Sequence, residues 1–123
     1  MALVLAIVAV LAIIYVVPFV IYAGASALRL VDIPSETSPQ RFLLGVLVTK
    51  LGTAAAFVLI LHLGWPGGWL TYSLIWFAMF AASEIGDAIS GRSSWAEALL
   101  GVLSEAIYAP LAALSAFAIL GIG

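Results

Sequence analysis

The sequence contains no cysteine and only one histidine, His62. Without cysteine the chain has no disulfide, no thiolate nucleophile and no cysteine-held zinc or iron–sulfur site. With one histidine, a single chain cannot supply both axial ligands of a bis-histidine haem. A metal site needs several protein ligands, so we read His62 as an interfacial residue and expect no metal and no cofactor.

Charge is scarce as well. Only 8% of the residues are charged and 66% are hydrophobic, whereas a soluble domain has about 25% charged residues. Four basic residues and a net charge of −2 cannot neutralise a row of phosphates, which argues against nucleic acid as a partner. The composition indicates a single integral membrane domain, residues 1–123, whose first partner is the lipid bilayer.

Four segments are apolar over the ~20 residues that a membrane-spanning helix needs. Their predicted bounds are 2–28, 39–63, 69–89 and 95–120. Ser38-Pro39 and the Ser94/Glu97 capping box mark two helix starts, and GWPGG breaks the chain between the second and third segments. The first segment has no basic residues before it and is too long for a signal peptide, so we expect it to be retained. The predicted fold is an all-α, four-transmembrane-helix bundle.

Three arginines indicate the orientation of this bundle. Arg29 and Arg41 flank the first loop and Arg92 lies in the third, while the opposite side has no lysine or arginine. The positive-inside rule therefore predicts that loops 29–41 and 90–94 are cytoplasmic and that both termini are extracytoplasmic, in the cell membrane.

Three charged residues fall at similar depth in this arrangement. Lys50 lies eleven residues beyond Pro39 and Glu105 eleven residues beyond Ser94, roughly 16 Å into the bilayer core at ~1.5 Å per residue. Glu84 precedes Arg92 by eight residues, which places it about 12 Å deep. Because one lysine cannot neutralise two glutamates, one buried glutamate would hold a proton or have a cation beside it. The alternative is a structural ion pair that fixes helix register.

Other polar residues are candidates for the same site. Tyr22 is expected near the Lys50 layer, as a hydrogen-bond donor. Asp87 follows Glu84 by three residues but lies closer to the membrane edge, where a solvated residue near Arg92 is the alternative. The remaining candidates, Thr49 and Thr53, lie with Gly45, Gly52 and Ala56 on one face of the second segment. In the fourth segment one face contains Glu97, Gly101, Glu105, Tyr108 and Ala112. The first of these faces lets another helix approach closely. For Glu97 the capping box is the simpler interpretation.

Three functions fit this pattern. The first is an oligomeric transporter or channel for protons, cations or a small cationic solute, with Lys50, Glu84, Glu105, Asp87, Tyr22, Thr49 and Thr53 as binding residues. Its design is similar to that of small multidrug-resistance transporters, which are four-helix dimers with a membrane glutamate. Their glutamate lies in the first helix, however, and the first helix here has no charge.

The second function is a non-catalytic structural or accessory subunit of a larger membrane complex, or a lipid-binding module. The third starts from GDAISGRSS, residues 86–94, which resembles a stretch of membrane CTP-dependent lipid-modifying enzymes. In those enzymes an aspartate helps to hold a metal-bound nucleotide. Here Glu84, Asp87 and Glu97 would offer oxygen ligands to Mg²⁺ near the cytoplasmic face, but the lysines for a triphosphate are missing. The balance favours a protein that is not an enzyme and that acts as a homo-oligomer or with membrane-protein partners.

Overall fold

The computed structural model describes residues 1–28 and 39–122, with side chains from Leu44 onward in the second helix. Its elements are four α-helices, with no strand in those ranges. They are α1 (Ala2–Ala27), α2 (Pro39–Gly64), α3 (Trp69–Ile89) and α4 (Trp95–Leu120). The predicted all-α class is confirmed, and each predicted helix end lies within one residue of the observed one.

Local sequence signals explain these ends. Pro39 is the first residue of α2, a position where the missing N–H costs no hydrogen bond. At the start of α4 the Ser94 hydroxyl accepts a hydrogen bond from the Glu97 backbone N–H at 3.1 Å. Only this half of the predicted capping box is formed in the described part of the chain. The predicted cap Ser38, together with Arg29 and the Arg41 side chain, lies outside the described residues.

Three helical stretches are long and apolar enough to cross a membrane: Ala2–Ala27, Leu44–Gly64 and Trp95–Leu120. Three of the four predicted segments therefore have the length and apolarity that a membrane-spanning helix needs. Helix α3 is not among them; it has 21 residues and includes Glu84 and Asp87.

Helix α4 is the centre of the bundle. It packs lengthwise against α1 on one side and against α3 on the other, and α1 packs in turn against α2. A run of buried alanines, Ala109, Ala112, Ala113 and Ala116, shares one core with Ala6, Val10 and Ile14 of α1. Alanines at this spacing let helix backbones approach closely. The helices therefore follow one another in space in the order α2, α1, α4, α3.

A gap separates α2 from α3. Over the ranges described, their backbones make no close approach, and α2 barely touches α4. Aromatic side chains bridge the gap near residues 65–68: the ring of Phe57 lies 4.8 Å from that of Tyr72 and 5.3 Å from that of Trp76. The Tyr72 hydroxyl also donates a hydrogen bond to the Phe57 carbonyl oxygen. Aromatic rings therefore close the end of the gap near residues 65–68. The opposite end lies beside the charged residues Lys50 and Glu84.

Among the described residues, no helix packs against the small-residue face predicted on α2. Gly45, Thr49, Gly52 and Ala56 are exposed, and in those residues a Cβ built on either glycine meets no neighbouring atom within 4 Å. The helix instead buries Ala54, Phe57, Val58 and Leu61. These side chains belong to the core shared with α1, α3 and α4, so the small face is left pointing outward.

Candidate ion-binding site

Glu105 lies in the interior of the bundle. The residue is only 4% exposed, and it lies on the same inward face of α4 as Gly101, Ser104 and Tyr108. The neighbouring Ser104 hydroxyl is satisfied by the Gly101 carbonyl at 2.9 Å, whereas the Glu105 Oε2 atom has no hydrogen-bond partner among the described residues. A buried carboxylate oxygen without a partner is costly, so this atom needs a proton or a cation.

Glu84 reaches the same place from α3. A Cβ built on Gly101 would lie 2.6 Å from the Glu84 Cδ and 2.8 Å from each of its carboxylate oxygens. The Glu84 carboxyl therefore occupies the space that a side chain at position 101 would fill. Gly101 precedes Glu105 by about one helical turn, and the two carboxyls face each other within hydrogen-bonding reach. We call Glu84 and Glu105 the carboxyl pair.

Lys50 lies beside the carboxyl pair without bonding to it. Its Nζ atom stands over the Tyr108 ring, 5.1 Å from the ring centroid. In the described residues no carboxylate oxygen comes within 4.0 Å of this nitrogen, although both glutamates lie close enough to act on it electrostatically. The ammonium is held by a cation–π contact, and the direct Lys50–glutamate ion pair expected from the sequence is not formed.

Tyr22 closes the site from α1. Its hydroxyl donates a hydrogen bond to the Glu97 backbone carbonyl at 3.0 Å and so ties α1 to the first turn of α4. The same ring lies in the electrostatic range of the carboxyls of Glu84, Glu97 and Glu105. Tyr22 is thus close to the carboxyl pair, and its own hydroxyl is occupied by the backbone.

The other three candidates lie elsewhere. Asp87 faces Arg92 at 3.9 Å, with side chains 44% and 80% exposed respectively. The hydroxyl of Thr49 donates to the Gly45 carbonyl at 3.0 Å, and that of Thr53 to the Thr49 carbonyl at 3.1 Å. Both threonine hydroxyls are therefore satisfied within α2 itself, and Asp87 occupies the exposed position given as its alternative.

Comparisons with known proteins add no assignment. No protein-family model, curated protein or solved structure matches this chain. Function has to be inferred from the site alone.

Two residues at the site have roles that the sequence did not reveal. Gly101 provides the space for the Glu84 carboxyl, and Tyr108 holds the Lys50 ammonium. Both were placed on the correct face of α4 by helical spacing. The only signal for their roles was a glycine one turn before a buried glutamate and an aromatic residue one turn after it.

The charges at the site do not cancel. With all groups ionised, two carboxylates (−2) and one ammonium (+1) give −1, in surroundings that are otherwise apolar and aromatic. One added positive charge would balance the site. In the described residues no group of three or more His, Asp or Glu side chains is arranged to hold a metal ion, and Asp87 faces Arg92 instead of joining Glu84 and Glu97. A proton or a small cation beside the carboxyl pair would supply that charge.

Proposed function

We propose that this protein is a membrane transporter or channel in which the carboxyl pair binds a proton or a small monovalent cation. The observation that supports this most directly is the buried Glu105 Oε2 atom without a partner, next to a second carboxyl. Ionisable residues inside membrane helices typically mark ion or substrate pathways. A purely structural ion pair would instead join Lys50 to one of the glutamates, and the described part of the chain contains no such bond.

In this proposal all four helices span the membrane. Helix α3 has 21 residues, about 31 Å at 1.5 Å per residue, enough to cross a hydrocarbon core of ~30 Å. It presents Glu84 to α4 and not to lipid. The distribution of arginines supports loops 29–41 and 90–94 on the cytoplasmic side of the cell membrane, with both termini extracytoplasmic.

A homo-oligomer completes the proposal. Four helices enclose little space, so a pathway would need walls from more than one copy. The outward face of α2, which contains Gly45, Thr49, Gly52 and Ala56, supports close packing against another membrane helix.

The test is uptake by purified protein in liposomes with a pH-sensitive dye inside. Under an imposed gradient, the wild type should acidify the lumen, and Glu105→Gln should abolish this, because the amide can neither release a proton nor balance a cation. Parallel liposomes given Na⁺, K⁺ or methylammonium in place of a proton gradient identify which cation moves.

Asp87→Asn is the matched control, since it also removes one carboxylate but lies outside the carboxyl pair, against Arg92. It should retain uptake. Both variants must elute as the wild type does on size-exclusion chromatography and keep its helical circular dichroism. Wild-type uptake by a folded Glu105→Gln protein would refute the proposal.

The second candidate is an accessory subunit of a larger membrane complex. The exposed small-residue face of α2 favours it, because such a surface suits a permanent helix partner as well as a second copy. In that case the purified protein transports nothing, and Gly52→Leu, on that face, disperses the oligomer or releases the partner. Affinity purification in mild detergent, with mass spectrometry of the co-purifying proteins, separates the two candidates.

A further inference from the structure

Three carboxylates lie at successive levels along one face of α4. Glu97, Gly101 and Glu105 are spaced four residues apart, which puts them on the same side of the helix. The level of Gly101 is filled by the Glu84 carboxyl. Each level is about 6 Å from the next at 1.5 Å per residue. We call Glu97, Glu84 and Glu105 the acidic ladder.

Burial increases along this ladder. Glu97, in the first turn of α4, and Glu84 are partly exposed, whereas Glu105 is only 4% exposed. The innermost level ends on the Glu105 Oε2 atom, which has no hydrogen-bond partner in the described residues. This buried oxygen is an observation separate from the four-residue spacing on α4, and it indicates where a cation that follows the ladder would bind.

Beyond Glu105 the way is closed by aromatic rings. The ring of Tyr108 lies 6.0 Å from that of Phe80, which lies 5.5 Å from Trp76. Trp76 is in turn 5.3 Å from Phe57, which contacts Tyr72. Residues 51–83 and 106–122 contain no aspartate, glutamate, lysine or arginine. A charge that reaches the carboxyl pair from this side would find no carboxylate on its way.

The Glu97 carboxylate is not needed for the cap of α4. The Ser94 hydroxyl accepts its bond from the backbone N–H of Glu97, and Tyr22 donates to the Glu97 backbone carbonyl. Both contacts use the main chain. Any effect of neutralising the Glu97 side chain can therefore be separated from an effect on helix capping.

We infer that Glu97 is the outermost member of an acidic access route, through which the cation reaches the carboxyl pair from the end of the bundle that carries residues 90–94. The inference rests on the proposed function and adds its direction: among the described residues, the carboxylates that lead to the site lie toward that end. Glu97 is a positioning residue, which raises the local concentration of the cation and passes it to Glu84.

The first test compares Glu97→Gln, Glu97→Asp and Asp87→Asn in the uptake assay. An acidic residue at the mouth of a route typically raises arrival rates by about tenfold or more. The initial rate of Glu97→Gln should fall by about that factor, with the same final extent of uptake. Glu97→Asp should restore most of the rate, and Asp87→Asn should leave it unchanged.

A second test needs no transport and uses the absence of cysteine from the chain. Single cysteines replace Glu97, Glu84 and Ala112, the last of which is buried beyond Tyr108. A membrane-impermeant cationic thiol reagent is added separately to each side of oriented vesicles. Glu97→Cys and Glu84→Cys should react from the side of residues 90–94, and Ala112→Cys should react from neither side. Ile107→Cys, on the outward face of α4, should stay unreactive because lipid covers it.

The outcomes distinguish the two proposals. If Glu105→Gln abolishes uptake but Glu97→Gln behaves as Asp87→Asn does, the access route is wrong and the proposed function stands. Reaction of the Glu84→Cys variant from the side of the termini also overturns the access route. If Glu105→Gln transports normally, the proposed function fails whatever the cysteines show.

Discussion

Replacing Gly101 with alanine tests the geometry of the carboxyl pair by the smallest possible change. The added methyl carbon would lie 2.6 Å from the Glu84 Cδ and 2.8 Å from both carboxylate oxygens. Comfortable contacts between such atoms are about 3.5–4.0 Å. The Glu84 carboxyl must therefore retreat by roughly 1 Å, away from α4 and from Glu105.

Function should suffer more than stability in this variant. The displaced group is the end of a flexible side chain, so it can move while the helices stay in place. The cost of its movement is offset by the gain in helix propensity from glycine to alanine, about 1 kcal/mol. A misplacement of ~1 Å at a reacting site can cost about 100-fold in rate, so we expect uptake to fall by about 10- to 100-fold with little change in the free energy of unfolding.

The measurement is initial uptake in liposomes, beside unfolding in detergent followed by tryptophan fluorescence. Gly24→Ala is the matched control, since among the described residues a Cβ there meets no neighbouring atom within 4 Å and Gly24 lies outside the α2 face, so uptake should be unchanged. In a Glu84→Ala background the methyl group has nothing to displace, so Gly101→Ala should have no further effect. Uptake at the wild-type rate in the single Gly101→Ala variant would show that the Glu84 carboxyl does not lie over Gly101.

Two further predictions concern stability. Ser94→Ala should lower the free energy of unfolding by about 1 kcal/mol, because it removes the cap to the Glu97 N–H. Ser93→Ala should be neutral or stabilising, because the buried Ser93 Oγ atom has no hydrogen-bond partner among the described residues. Equal effects of the two variants in detergent unfolding curves would contradict this. Tyr72→Phe should cost about 0.6–1.5 kcal/mol, because it removes the bond to the Phe57 carbonyl while keeping the ring contact, and an unchanged denaturation midpoint would argue against that bond.

The helices were predictable because local signals define them. Pro39, the Ser94 cap and the GWPGG break act over a few residues and do not depend on the rest of the fold. The meeting of Lys50, Glu84 and Glu105 was also within reach of the sequence, since rise per residue converts position into depth. What each side chain contacts was not, because that depends on how the helices are rotated and spaced. Spacing alone could not show that Lys50 faces an aromatic ring and Glu84 a glycine.

The small-residue face of α2 shows the same limit. Its spacing predicts a surface suited to close helix contact, yet in the described residues α2 packs through other side chains. A periodic pattern identifies a face without identifying what covers it. The same limit applies to α3, which is not among the helices apolar enough to cross a membrane. Its residue Glu84 is accommodated by a contact with α4, and hydropathy along a single segment does not show such a contact.

The central position of α4 also sets the order in which the protein can be assembled during synthesis. Its two main neighbours, α1 and α3, are both made before it. Until α4 leaves the ribosome, Ala6, Val10 and Ile14 lack the alanines of α4, and the Glu84 carboxyl lacks its contact with Gly101. In the proposed membrane arrangement, a nascent chain with three helices would expose this carboxyl to lipid. Helix α3 should therefore enter the membrane together with α4, as a helical hairpin in which α4 separates Glu84 from lipid.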